Sequence, residues 1–183
     1  GQEGGTAVAD VLFGDYNPSG RLPITFYKSV TQIPDFEDYS MKGRTYRFMT
    51  EKPLYPFGYG LSYTTFEYGD ARLSKNEIKP DEEVTLTLEI ANKGQRDGDE
   101  VAQVYVKNPN DPEGPIKALK AFKRVNIKSG EKQAVEIHLP AKSFQSFNDK
   151  TQTMEVRPGQ YEILYGGSSD DRQLKSIKLE IKN

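Results

Sequence analysis

From Phe66 to the C-terminus the chain alternates apolar and polar residues with a period of two. Val84, Leu86, Leu88 and Ile90 alternate with Thr85, Thr87 and Glu89. Ala102, Val104 and Val106 alternate with Gln103 and Tyr105, and Val135, Ile137 and Leu139 with Glu136 and His138. Tyr161, Ile163 and Tyr165 alternate with Glu162 and Leu164, and Ile177, Leu179 and Ile181 with Lys178 and Glu180. Each run has one apolar face, the mark of a half-buried antiparallel strand. Turn-forming residues separate the runs: Asn92-Lys93-Gly94, Asn108-Pro109-Asn110, Ser129-Gly130-Glu131, Pro158-Gly159 and Gly166-Gly167. Residues 117–127 also look extended, but Phe122 falls on the wrong face, which predicts a β-bulge. About seven strands without a helical pattern predict a β-sandwich over residues 66–183.

Residues 1–65 follow another pattern. Val8, Val11 and Leu12 recur at i, i+3 and i+4, with Thr6 as the expected N-cap and Gly14 as the residue that ends the helix. Two turns of helix are not stable alone, so this one has to pack on something. Asn17-Pro18-Ser19-Gly20 reads as a turn and Leu22–Phe26 as a short extended piece. Residues 27–65 show no long periodic element and predict a wrapping segment. The expected division is therefore 1–26, a segment with one short helix; 27–65, a wrapping linker; and 66–183, the sandwich.

Composition narrows the function. The 183 residues carry 25 basic and 27 acidic groups, a balance that offers no field for nucleic acid. There is no cysteine, which removes disulfides and thiol chemistry. No apolar run approaches the ~20 residues of a membrane span. No cofactor or metal site is expected. His138 sits alone on the polar face of a strand and reads as a surface residue. Two carboxylate groups, Asp35/Glu37/Asp38 and Asp97/Asp99/Glu100, invite comparison with the paired carboxylates of glycoside hydrolysis. Both fall in loop-like sequence and read as solvated acidic loops. Lys117, Lys120, Lys123, Arg124, Lys128 and Lys132 crowd one region and read as a charged edge or solvent face. The stretch Tyr55–Tyr63 is rich in aromatic residues. Its rings either stack on sugars or anchor a linker between domains, and the anchor reading is preferred for Tyr55, Phe57, Tyr59 and Tyr63. Arg44, Tyr46 and Arg47 combine donors with rings and are candidates for reaching a sugar. A carbohydrate-binding module would instead need an exposed aromatic row, with Tyr105, Tyr161 and Tyr165 as candidates; an adhesion sandwich is a further alternative.

Three segments are more specific. Gly1–Asp15 with Asn17–Pro23, Tyr55–Thr64, and the set Gly98–Val106, Leu119–Val125 and Pro158–Tyr161 resemble, in that order, the C-terminal part of family 3 glycoside hydrolases: the end of the α/β sandwich domain, here residues 1–26, the junction that follows it, and an immunoglobulin/fibronectin type III-like sandwich, here 66–183. The resemblance implies a retaining exo-β-glycosidase parent, a β-glucosidase or β-xylosidase acting on β-linked oligosaccharides outside the cytoplasm. It implies a catalytic Asp on an upstream barrel, set in Ser-Asp-Trp, and a Glu acid/base on the α/β domain. This chain has no tryptophan, and neither catalytic position maps onto it. The chain alone is expected to be inactive, with the upstream barrel and α/β domains as its partners. The stretch Gly43–Phe48 is similar to sequences of the β-xylosidase branch.

Overall fold

The computed structural model describes all residues, Gly1–Asn183. The alternating runs become strands of two packed sheets. β1 (Phe66–Leu73), β3 (Val84–Asn92) and β6 (Lys132–Leu139) form a three-stranded antiparallel sheet in the order β1-β3-β6. β2 (Glu77–Ile78), β10 (Lys175–Ile181), β9 (Gly159–Gly166), β4 (Gly98–Lys107) and β5 (Ala118–Ile127) form the other, in the order β2-β10-β9-β4-β5. A hairpin of β7 (Gln145–Asn148) and β8 (Thr153–Val156) stands apart from both. The ten strands include these short additions to the seven main runs.

The inward residues of both sheets meet in one core. Leu86, Leu88 and Ile90 of β3 face Ile163 of β9 and Leu179 of β10 within a cluster of 19 buried residues. Phe144, from a 3-10 turn at Ala141–Phe144, packs edge-on against Tyr161 at 5.6 Å and closes one end. The expected bulge is present. Pairing steps from Val104↔Ala121 to Tyr105↔Leu119, leaving Lys120 as the extra residue. The bulge keeps Ala118 and Ala121 on the core side and leaves Phe122 on the outer face, exposed. β5 is an edge strand, and its Lys120, Lys123 and Arg124 give that edge the charge that discourages strand addition.

Before the sandwich, α1 spans Gly4–Phe13. Its N-cap is Glu3, not Thr6. The first helical bond runs from Ala7 N–H to the Glu3 carbonyl, and the Thr6 hydroxyl donates to the Glu3 carboxylate at 3.3 Å. Gly14 ends the helix in the left-handed conformation (φ 85°), as its glycine suggests. The helix buries none of its residues; Leu12 and Phe13 are 73% and 85% exposed. Residues 15–65 contain only a 3-10 turn at Val30–Gln32 and one helical turn, α2 (Thr45–Phe48).

Candidate functional site

The chain before β1 folds back over the outer face of β4, and this junction is where the sequence candidates gather. Two extended pieces of it pair with each other first. Leu22 N–H donates to Tyr59 O and Gly58 N–H to Leu22 O, each at 2.8 Å, while Phe26 pairs with Tyr55. The doubled strap then hydrogen-bonds to the sandwich. Ile116 N–H donates to Arg47 O at 2.7 Å, and Ser169 N–H to Phe57 O at 2.9 Å.

Tyr46 stacks on Phe57 at 4.4 Å and meets Tyr105 edge-on at 5.7 Å. Its hydroxyl accepts a hydrogen bond from Leu119 N–H at 3.0 Å. The strap thereby buries the polar-face residues of β4. Tyr105 is 0% exposed and donates to Gln103 Oε1, whose amide donates in turn to the Gly58 and Gly167 carbonyls. Burial raises the Tyr105 phenol pKa above its ordinary value. Gly58 is required here: its φ is +79°, and a Cβ would lie 2.0 Å from Gln103 Oε1.

Polar pins hold the turn 17–21 to the sandwich. Asn17 Nδ2 donates to Asp97 O, and its Oδ1 accepts from Ser62 Oγ and Tyr63 N–H. Arg21 pairs with Glu100 at 2.5 Å, and Tyr68 donates to the other Glu100 oxygen at 2.7 Å. Burial first, and the adjacent Glu100 charge second, raise the Tyr68 pKa. Arg124 bridges Asp99 and the Ser19 hydroxyl. Arg96 donates to Gly14 O and lies 5.6 Å from the Tyr63 ring, while Tyr63 donates to Val11 O at 2.6 Å. These pins tie α1 to the sandwich.

Several sequence readings change. Asp99 and Glu100 are not in a solvated loop; they lie on β4, where Glu100 is buried because Arg21 and Tyr68 neutralise and bond it. Asp97 accepts from Ser129 N–H as a turn brace. Asp35, Glu37 and Asp38 are exposed; Asp35 accepts from Glu37 N–H and Asp38 from Ser40 N–H within their own loop. Lys117 is not on a solvent face. It is 3% exposed and paired with Asp171 beneath the strap. Tyr105, Tyr161 and Tyr165 form no exposed row, because the strap covers the first and the core takes the other two. His138 is exposed and bonds Thr85 across the sheet.

Among the sugar candidates, Arg44 turns onto the carbonyls of Asp35, Asp38 and Ser40 and fixes the loop 35–40. Tyr46 is engaged as above, and Arg47 stays exposed. Tyr55 stacks on Tyr59 at 5.1 Å beside a cleft of about 420 Å³ that Lys117 and Ser169 also line. No group of three or more His, Cys, Asp or Glu is placed to hold a metal ion. No helix is long and apolar enough to cross a membrane. Sequence reasoning missed Asn17, Arg21, Arg96 and Gln103 as pins. Asn17 and Arg21 stood inside a recognisable motif, but their partners lie about 80 residues away.

Comparison with known proteins matches both regions. A model of the glycosyl hydrolase family 3 C-terminal domain matches residues 1–63, and one of the fibronectin type III-like domain matches residues 100–169. A xylan 1,4-beta-xylosidase of Xylanibacter ruminicola is 50% identical over 99% of this chain and 21% of its own length. A periplasmic beta-glucosidase of Salmonella typhimurium is 40% identical over 92% of this chain and 24% of its own length. Among solved structures, a β-glucosidase from Erythrobacter marinus superposes with a TM-score of 0.84 at 35% identity, over 98% of this chain and 24% of that one. The chain spans about a quarter of the length of these relatives.

Proposed function

The chain belongs to glycoside hydrolase family 3, as its C-terminal portion, and from that premise we propose that it is the non-catalytic brace of a retaining exo-β-glycosidase. In this reading residues 1–26 complete the α/β domain, residues 27–65 are the strap, and residues 66–183 are a sandwich that holds both against the upstream barrel. The carrying observation is α1. Its apolar residues Val8, Leu12 and Phe13 face outward, yet the segment that bears them is pinned to the sandwich through Asn17, Arg21 and the Arg96 bond to Gly14 O. An apolar face held in place but uncovered suits a seat for more of the same polypeptide. Tyr55, Phe57, Tyr59 and Tyr63 act as anchors of the strap, Arg44 and Tyr46 position it, and Arg47 is the member of that group left free to meet a sugar.

The parent's substrate is a β-xyloside or β-glucoside, with the xyloside preferred. The 50% identity to a named xylosidase supports that preference. The parent works outside the cytoplasm, as the periplasmic designation of the Salmonella relative supports. Hydrolysis of nitrophenyl β-xyloside and β-glucoside by the 183-residue chain, beside the full-length parent, tests this. Turnover by the parent alone, faster on the xyloside, is expected. Turnover by the chain itself would sink the reading.

A further inference from the structure

We infer that the flank of the sandwich carries a separate site for a short neutral oligosaccharide, in the cleft between the β7–β8 hairpin and the loop 108–115. The cleft encloses about 380 Å³, within the range of small-molecule sites, about 300–1,000 Å³. It shares none of the residues that line the Tyr55–Tyr59 cleft.

Three observations carry the assignment. Two of the three buried side-chain polar atoms that lack any hydrogen-bond partner belong to residues lining this cleft, Asn108 Nδ2 and Ser146 Oγ. An unpartnered buried donor is destabilising; a hydroxyl-rich ligand relieves it where the Ser146 hydroxyl rotates toward the cleft and where the ligand comes to Asn108 Nδ2. Asn108 cannot turn its amide freely, because its Oδ1 already accepts from Asn110 N–H at 3.1 Å. Phe147 and Met154, which pair across β7–β8, are about half exposed and form an apolar wall against which the C–H face of a sugar can lie. The charged lining sets Arg47 and Lys120 against Asp111, Glu113 and Asp149, a mixed set with no cationic excess, which disfavours an anionic ligand and suits a neutral one. Burial, with Arg47 nearby, lowers the Lys120 pKa, in keeping with a partly dry cleft.

The walls are fixed before any ligand arrives. Arg157 donates to Phe147 O at 3.1 Å and lies 3.8 Å from Asp111, tying hairpin to loop. Gly159, at φ +139°, lets Asn110 approach to where a Cβ would sit 2.3 Å from its amide. A preformed site loses less entropy on binding. That the sugar is β-linked xylose or glucose rests on the glycosidase reading above; the cleft itself does not.

Calorimetric titration of xylohexaose and cellohexaose into both the 183-residue chain and the full-length parent tests the site, with amide chemical shifts followed in the chain. Saturable binding to both, with shifts confined to residues 47–48, 106–120, 143–156 and 161, is expected. Phe147→Ala should weaken it about tenfold without moving the unfolding midpoint, and Ser146→Ala should weaken it less. Nitrophenyl xyloside hydrolysis by the parent should be the same with and without Phe147→Ala. No saturable binding of either sugar, shifts centred on Tyr55 and Tyr59, or binding that the parent lacks would each overturn the proposal. Binding retained in a parent that hydrolyses neither nitrophenyl glycoside would sink the glycosidase reading and leave the cleft standing.

Discussion

The sandwich and the segment that precedes it are held by different forces. Every buried hydrophobic residue of the chain lies at or after Ile78, and all but Ala91, Tyr105 and Ala118 belong to one core shared by two sheets. Residues 1–65 bury no hydrophobic side chain; Ser19 and Thr64 are their buried polar residues. That segment is fastened by side-chain hydrogen bonds, one buried ion pair and glycines at close approach. The hydrophobic effect is non-directional and scales with area, so it makes the sandwich a self-sufficient unit. Hydrogen bonds add little net stability but fix position, so they register the segment without giving it a core of its own. A unit placed so firmly, and with so much apolar surface outward, is built to present that surface.

The difference is broken most sharply in the core. Phe144→Ala removes a fully buried ring from its contact with Tyr161 and should cost about 3–5 kcal/mol in denaturant unfolding. A comparable loss from any truncation in residues 1–65 would erase the distinction. Gly58→Ala comes next. It combines a φ of +79° with a Cβ inside the Gln103 amide, and should cost about 1–3 kcal/mol. Its signature is faster protease cleavage within 27–65 while amide exchange in β3 and β9 stays slow. Equal loosening of both regions would mean that strap and sandwich are one cooperative body.

Acid should separate the regions more gently. The hydrogen bond from Asn126 Nδ2 at 2.7 Å, and then Arg124, hold the Asp99 carboxyl below the ordinary aspartate range. A carboxyl whose folded-state pKa is depressed contributes stability that is fully present above its unfolded value, about 3.9. That contribution is lost as pH falls through the lower folded value. Arg124 also holds Ser19, so below about pH 4 the turn 17–21 should loosen before the core strands do. Asp99→Asn should give the same loosening at pH 6. Strap protection that is flat down to acid unfolding would show that Arg124 does not depend on Asp99.

Much of this architecture was legible because its signals are local. Period-two alternation in β3, β4, β6, β9 and β10 needs only neighbouring residues, and so did the Lys120 bulge inferred from the facing of Phe122. What failed was treating the outer face of β4 and the approach to β5 as solvent; His138, on the outer face of β6, is exposed as expected. Tyr105 is buried because a strap about 50 residues upstream covers it, and Lys117 because Asp171 waits 54 residues downstream. Glu100 looked like a loop acid beside Asp97 and Gly98; its arginine partner stands 79 residues away. The aromatic stretch 55–63 stood out by composition, but the pins did not, since Asn17 and Arg21 are ordinary turn residues until their distant partners are known.

The smallest effect tests the claim about α1 most directly. Leu12→Gln replaces an exposed apolar side chain by one of similar helix propensity and shape. In this chain it removes no buried contact, so unfolding should shift by no more than about 0.5 kcal/mol. In the full-length parent the same position is proposed to lie against more of the α/β domain. Burying a glutamine amide there without a partner should cost about 1–3 kcal/mol. The comparison is thus between two backgrounds for one substitution, read by thermal unfolding of each. Near-neutrality in the chain and clear destabilisation in the parent would mark α1 as half of an interface. Neutrality in both would leave its apolar face without a partner and remove the observation on which the bracing role stands.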